Sequence, residues 1–234
     1  RIPDLGFSTL RREAPDQAHW WLGENGEGVP TGRVRIGSQL TPPRQFAVRD
    51  TELELPVSGV GFEPMQSLAL GGLGAAWGAA AYTYTDRELA TCGLEPKAFA
   101  DHYQAVANRI GVSAATEDDT SASCSGQLRS VQPPLDLDSN AEALLGAYRN
   151  TPRSASFQLG RIPLAILSRD LGDRKANPYF DMDFWSDVRR SIYRPRYTLE
   201  GLRRTAGYRE TRGVLATRFE QTADGQGVLH GVLP

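Results

Sequence analysis

The chain has 234 residues, enough for one large domain or parts of two, and its 40% hydrophobic and 23% charged content is that of a globular protein with a sizeable core. A formal net charge of −2 excludes a whole-molecule field that would draw it to nucleic acid or to an anionic membrane. Cys92 and Cys124 are the only cysteines, too few for a disulfide framework or a cysteine-rich metal site, and they fit a reduced, cytoplasmic setting. The longest apolar stretch, Leu68 to Tyr82, is too short and too rich in glycine and alanine for a bilayer span. The start, Arg1-Ile-Pro-Asp-Leu-Gly6, lacks the basic and then apolar pattern of a targeting segment, and the chain is expected to be a processed or excised piece of a longer one.

Residues 1–60 are punctuated by Pro3, Pro15, Pro30, Pro42, Pro43 and Pro56, which argues against long helices. Short alternating runs at Val34–Ile36, Gln45–Val48 and Thr51–Leu55 predict strands. Next comes Ser67-Leu-Ala-Leu-Gly-Gly-Leu-Gly-Ala-Ala-Trp-Gly-Ala-Ala-Ala-Tyr-Thr-Tyr-Thr-Asp86, in which small residues stand where a core helix would carry bulk. Gly71, Gly72, Gly74 and Gly78 leave the backbone uncovered, so something large is expected to lie against it, a nucleotide-type cofactor through an anionic group such as a phosphate; the alternative is a tight helix-packing segment or a glycine loop.

Thr85-Asp-Arg-Glu88 has the form of a capping box and predicts a helix start. Pro96 at a first helical position, Phe99, Tyr103, Val106 and Ile110 at helical spacing, and Gly111 as a stop predict a second helix. Ser113 to Asp138 reads as a long loop, and Asn140–Tyr148 as a short helix capped by Asp138 or Ser139. Ser156–Leu159 and Ile162–Leu167 look like strands, with Pro163 favouring an edge or a bulge. A helix is predicted over Thr198–Arg204 with Thr198 as its cap. Tyr208–Thr211, Gly213–Glu220 and Gly227–Leu233 are strand-like, with Asp224-Gly225 as the turn between the last two.

Two further clusters stand out. Asp181, Asp183 and Asp187 lie among the aromatics of 179–185; without the glycine and final glutamate of an EF-hand loop they are expected to pair with the arginines that follow rather than hold a metal. Four arginines interleave with two tyrosines over Val188–Tyr197, where Arg194 or Arg196 suits a phosphate. His19, His102 and His230 are scattered and lack a motif, so the residues alone name no general base.

Ser67–Ala80, followed by Tyr-x-x-x-Glu-Leu and the helix through His102 and Tyr103, resembles the second flavin-contacting segment of glucose–methanol–choline-type oxidoreductases, in the bacterial branch related to pyranose oxidases. Asp181–Asp187, Tyr193–Glu200 and Gly213–Glu220 are similar to later segments of that branch, in the same order. The resemblance implies an α+β or α/β fold, with a partial FAD-binding Rossmann-like domain joined to an antiparallel-sheet substrate domain. Under it, residues 1–112 carry the irregular and flavin-contacting segments, 113–197 the substrate domain, and 198–234 a return to the FAD domain.

The activity implied is oxidation of a CH–OH group of an alcohol or sugar by hydride transfer to the flavin N5. Gly71, Gly72 and Leu73 would lie by the pyrophosphate and ribityl chain, Trp77 and Gly78 near the flavin ring, and Val214 and Leu215 beside the adenine end. Ala76 takes the place of the histidine that tethers flavin covalently in pyranose oxidases, which implies dissociable FAD. Gly74 and Ala75 replace the usual Ser and Asn. The family's strand–G-x-G-x-x-G–helix and its C-terminal catalytic histidine match nothing here, so this chain is expected to be incomplete and inactive alone. A second reading is a non-catalytic binding or interaction module on the same scaffold.

Overall fold

Pro96 and Gly111 bracket a fifteen-residue helix, Pro96–Ile110, because proline pre-sets the first turn and Gly111, at φ +74°, leaves helical space. The fold is taken from a computed structural model that describes residues 12–13, 42–62, 64–152, 157–179, 187 and 189–233. Within residues 42–233 as described, the helices are α1 (Thr51–Glu54), α2 (Asp86–Thr91), α3 (Pro96–Ile110), α4 (Ser121–Ser125), α5 (Ser139–Arg149) and α6 (Pro195–Leu202), with 3-10 turns at Pro42–Ala47 and Gly72–Ala75. Strands β1 (Leu215–Gln221) and β2 (Gly227–Val232) form an antiparallel pair, so helix and strand are mixed in an α+β manner. The chain divides into two compact units, Arg1–Arg196 and Tyr197–Pro234.

Local signals hold where they are strongest. Thr85 accepts from the Glu88 N–H while the Glu88 carboxylate accepts from the Thr85 N–H at 2.7 Å, closing the capping box of α2. Asp138 caps α5 by accepting from the N–H groups of Asn140 and Ala141.

Several expectations are corrected. Gln45–Val48 and Thr51–Leu55 are not strands but fall in a 3-10 turn and α1. Leu53 is 79% exposed, so the alternation marks no buried sheet face, and Glu52 and Glu54 suit a helix N-terminus. The stretch 113–138 contains α4. Helix α6 starts at Pro195, three residues before Thr198, because Pro195 again supplies the first-turn geometry. Phe157–Leu159 and Tyr208–Thr211 form no strand, while Val34–Ile36 and Ser156 lie outside the described residues.

The core of the first unit is a set of short backbone bridges rather than a regular sheet. Leu164 exchanges both hydrogen bonds with Ser113, at 2.9 Å each, and Ser113 bridges in parallel to Gln132. Along the other edge of 163–167, the Ala81 N–H donates to Pro163 O (2.9 Å) and Ala165 N–H to Ala79 O (2.8 Å). Tyr193 N–H then donates to Ala165 O (2.8 Å) and Leu167 N–H to Ser191 O (3.0 Å). Pro163 therefore opens a central segment rather than an edge, using its carbonyl where it has no N–H to offer. Ala79, Ala107, Ile110, Val112, Ala165 and Ile192 fill the space between this ladder and α3, and the small side chains let the backbones come close.

Two buried charges tie the unit together. Arg174 donates to three carbonyls, through Nη1 to Ile110 (2.5 Å), Nε to Arg190 (2.9 Å) and Nη2 to Ser191 (3.1 Å). Asp118, its side chain 1% exposed, accepts from Arg161 Nε and N–H and from Arg149 Nη2, all at 2.9 Å. Burial pushes the Asp118 carboxyl up, but the bonds from Arg161, its charge and the bond from Arg149 outweigh it and hold the pKa below the ordinary value.

In the second unit the hairpin pairs Leu215 with Val232, Phe219 with Leu229 and Gln221 with Gly227, with an irregularity between Ala216 and Arg218. Its turn runs through Asp224 and Gly225, the latter at φ +81°. Glu210 is gripped by Arg203 (2.8 and 2.9 Å) and Arg212 (2.6 Å), whose hydrogen bonds draw its pKa down to about 2.

A Cβ at position 111 would stand 2.2 Å from Leu167 Cδ2 and 3.1 Å from Leu171 Cδ2. Gly111→Ala should therefore cost roughly 2–4 kcal/mol, read as a lower urea midpoint; an unchanged midpoint would show that neither strain nor crowding acts there. For Asp118 the folded-state pKa is lowered, so its contribution is complete above the unfolded-chain value of about 3.9 and is lost as pH falls through the folded value. Asp118→Asn should remove about 1–3 kcal/mol at pH 7 and flatten the acid limb of the stability curve; an identical acid limb in both proteins would contradict this.

Candidate functional site at the glycine-rich turn

The segment from Ser67 to Ala81 enters through Ala69 N–H donating to Ser67 Oγ (3.2 Å) and turns at Gly71 (φ +95°) and Gly72 (φ +59°). Gly72 N–H donates to Ala69 O (2.8 Å) and Ala76 N–H to Leu73 O (3.0 Å), closing the 3-10 turn Gly72–Ala75.

Pro195 is the neighbour at two of the four glycines. A Cβ on Gly74 would meet Pro195 Cγ at 2.8 Å, and one on Gly71 would meet Pro195 Cβ at 3.3 Å. Gly72 and Gly78 differ, because nothing lies within 4 Å of a Cβ built on either. The small residues at 71 and 74 thus serve packing within the chain, whereas those at 72 and 78 leave backbone open.

Trp77 is held twice by Tyr193. Its Nε1 donates to Tyr193 O (2.8 Å), and its ring meets that of Tyr193 edge-on, with centroids 6.4 Å apart and planes at 79°. The Arg174 guanidinium lies 5.5 Å from the centre of the Tyr193 ring, so the buried staple also steadies the Trp77 support. Arg194 Nη1 donates to Ala75 O, and Asp187 holds the approach to Tyr193 by accepting from Ser191 N–H (2.6 Å) and Ile192 N–H (2.7 Å). Asp187 therefore organises backbone where the sequence suggested an arginine partner; Asp181 and Asp183 lie outside the described residues.

Ala79, directly after Gly78, sits at φ +63° and is 1% exposed. A β-carbon in that region costs roughly 1–2 kcal/mol, and the Ala165 N–H on its carbonyl is part of what holds it there.

Arg44 is a member of this region that the sequence did not single out. It is 4% exposed, on the turn Pro42–Ala47 that packs against Gly72–Ala75. Burial first, then the nearby charge of Arg194, lower its pKa to about 10, with Asp187 acting in the opposite direction. Nothing local in Pro42-Pro-Arg44 announces burial; only the tertiary closure on the glycine turn creates it.

Gly71, Gly72, Leu73, Gly74, Trp77 and Gly78 are thus brought together with Arg44, Tyr193, Arg194 and Pro195. Val214 and Leu215 belong to the second unit, where they precede and open β1, Leu215 pairing with Val232. His102 is exposed on α3, and His230 pairs with Glu220 at 3.0 Å on the hairpin. Among the described residues no group of His, Cys, Asp and Glu is arranged to hold a metal ion, and no helix is long and apolar enough to cross a membrane.

Comparison with protein-family models finds no match, and no curated protein matches the chain.

Gly74→Ala should cost about 1–3 kcal/mol by pressing on Pro195, and Pro195→Ala in the same chain should recover most of it. Equal destabilisation by Gly74→Ala in both backgrounds, measured by urea unfolding, would contradict the packing account.

Proposed function

We propose that this chain contributes the flavin-contacting middle portion of an FAD-dependent oxidoreductase of the glucose–methanol–choline type, acting on a CH–OH group of an alcohol or sugar. The observation that carries the reading is a meeting in space of two segments that separately resemble that family. Residues 67–80 and 193–195 join through Trp77 Nε1 on Tyr193 O, Arg194 on Ala75 O, and Pro195 against Gly71 and Gly74.

The residues fit such a group in part. Gly72 and Gly78 offer open backbone, and a strained Ala79 follows at once, as ligand-contacting segments often require. Gly71 and Gly74 meet Pro195 in the direction a β-carbon would take, so they support the turn, and any contact they make with the cofactor would be through their backbone. Arg44 and Arg194 gather positive charge behind it, which favours an anionic group such as a phosphate. Gly72, Leu73, Trp77 and Gly78 are the residues that would hold FAD. Bound there, it supplies a hydride acceptor for the carbon of the CH–OH group. Ala76 offers no histidine side chain for a covalent tether, so the FAD is dissociable. The Rossmann-like placement of the glycine segment belongs to the same proposal.

Gly78 separates folding from cofactor retention, because a β-carbon there meets nothing within 4 Å. The 234-residue chain and the product of its complete reading frame are each incubated with FAD and passed through gel filtration. Visible flavin absorbance should travel with the protein in at least one of the two forms. Gly78→Val should lose that flavin with a stability change within about 0.5 kcal/mol. Colourless protein in both forms, or equal flavin in wild type and variant, would overturn the proposal.

A further inference from the structure

A concavity lies at the C-terminal end of α3, lined by none of the residues of the glycine turn. It has a volume of about 390 Å³ and is bounded by the last turn of α3, residues 130–133 and residues 169–171. That is within the size range of small-molecule sites. Ala107, Val131 and Leu171 give it apolar walls.

Its polar groups are oriented by bonds that fix which end of each amide faces the protein. Gln104 Oε1 accepts from the N–H groups of Arg129 (2.7 Å) and Ser130 (2.9 Å), so its Nε2 must be the donor to Ser130 O and to Asn108 Oδ1, each at 2.7 Å. Asn108, on the cleft wall, therefore has its oxygen committed. Gln132 Oε1 likewise accepts from the N–H groups of Ser168 and Arg169, both at 2.9 Å. What Asn108 and Gln132 retain is their NH₂ groups, which have no partner among the described residues. The exposed Arg169 guanidinium also makes no hydrogen bond or ion pair among them.

The negative groups nearby are already engaged. Asp170 accepts from Lys175 Nζ (2.8 Å) and Ala176 N–H (2.9 Å), and these bonds hold its carboxyl below the ordinary value. At the end of α3, Ile110 O takes Arg174 Nη1 and Ala107 O takes the Gly111 N–H, which offsets the negative end of the helix dipole. The cleft thus presents one cation and two amide donors beside an apolar wall, with Asp170, Ala107 O and Ile110 O each already bonded.

We propose that this cleft binds a small carboxylic acid with an apolar body, its carboxylate held by Arg169 and the NH₂ groups of Asn108 and Gln132. A guanidinium matches a carboxylate with two parallel hydrogen bonds, and neutral amide donors complete the remaining lone pairs. The inference is independent of any flavin.

Benzoate is the probe. Titrated into the ¹⁵N-labelled chain, it should give saturable shifts of the Gln132 and Asn108 NH₂ signals and of the Arg169 and Gly111 amides. Benzamide, which has the same shape without the charge, should bind about tenfold more weakly or worse. Arg169→Gln, at an exposed position, should leave the rest of the spectrum in place and abolish the preference for benzoate. Absence of saturable shifts, equal affinity for benzamide, or an unaltered preference in the variant would overturn the proposal. Inorganic phosphate binding as tightly as benzoate would overturn the apolar part of the assignment.

Discussion

The buried guanidinium of Arg174 is the constraint on which the first unit turns. It draws the end of α3, through Ile110 O, onto the strand-like segment 190–191, through the carbonyls of Arg190 and Ser191. Ile110 O would otherwise be an orphan acceptor, since a helix end leaves backbone carbonyls uncovered, whereas Ser191 O also takes the Leu167 N–H. A hydrogen bond to a charged group is worth roughly 1.5–3 kcal/mol, and a buried acceptor left bare costs about as much again, so the arrangement favours one placement of 190–193 over its alternatives.

From that placement the candidate site follows. Tyr193 presents its carbonyl to Trp77 and its ring to both Trp77 and Arg174, while Arg194 and Pro195 close on the glycine turn. Ala165 joins the two sides, taking Tyr193 N–H on its carbonyl and giving its own N–H to Ala79. The strain at Ala79 and the open backbone at Gly72 and Gly78 can persist because this frame is over-determined around them. The donor-rich cleft shares the frame through the same end of α3, where Arg174 offsets the carbonyl that would oppose an anion.

What was legible in the sequence is what is decided locally. The capping box at Thr85 and Glu88, the proline and glycine that bracket α3, the Asp138 cap and the Asp224-Gly225 turn each act within a few residues, and each stands where the pattern put it. The bridged ladder was less legible because each contact joins segments far apart in sequence, and single bridges carry little periodicity. Ile162–Leu167 looked strand-like, yet Pro163 argued for an edge, and only the pairing shows its carbonyl in use inside the ladder. Thr51–Leu55 alternated without a buried face to enforce the strand. Within the site, the glycines announced a close approach but not its source, and half of it is Pro195. Arg44 and Arg174 gave no signal, since a buried arginine differs from an exposed one only in the backbone that folds around it.

The dependence of the ladder on Arg174 is most directly tested by native-state hydrogen exchange in Arg174→Met, which keeps an apolar stem and removes the donors. The amides of Ala81, Ala165, Leu167 and Tyr193 should all lose protection together, by about tenfold or more, as the joined segments open as one unit. Loss confined to the neighbours of position 174, with Ala81 and Ala165 exchanging as in the wild type, would contradict the claim that this guanidinium holds the frame of the site.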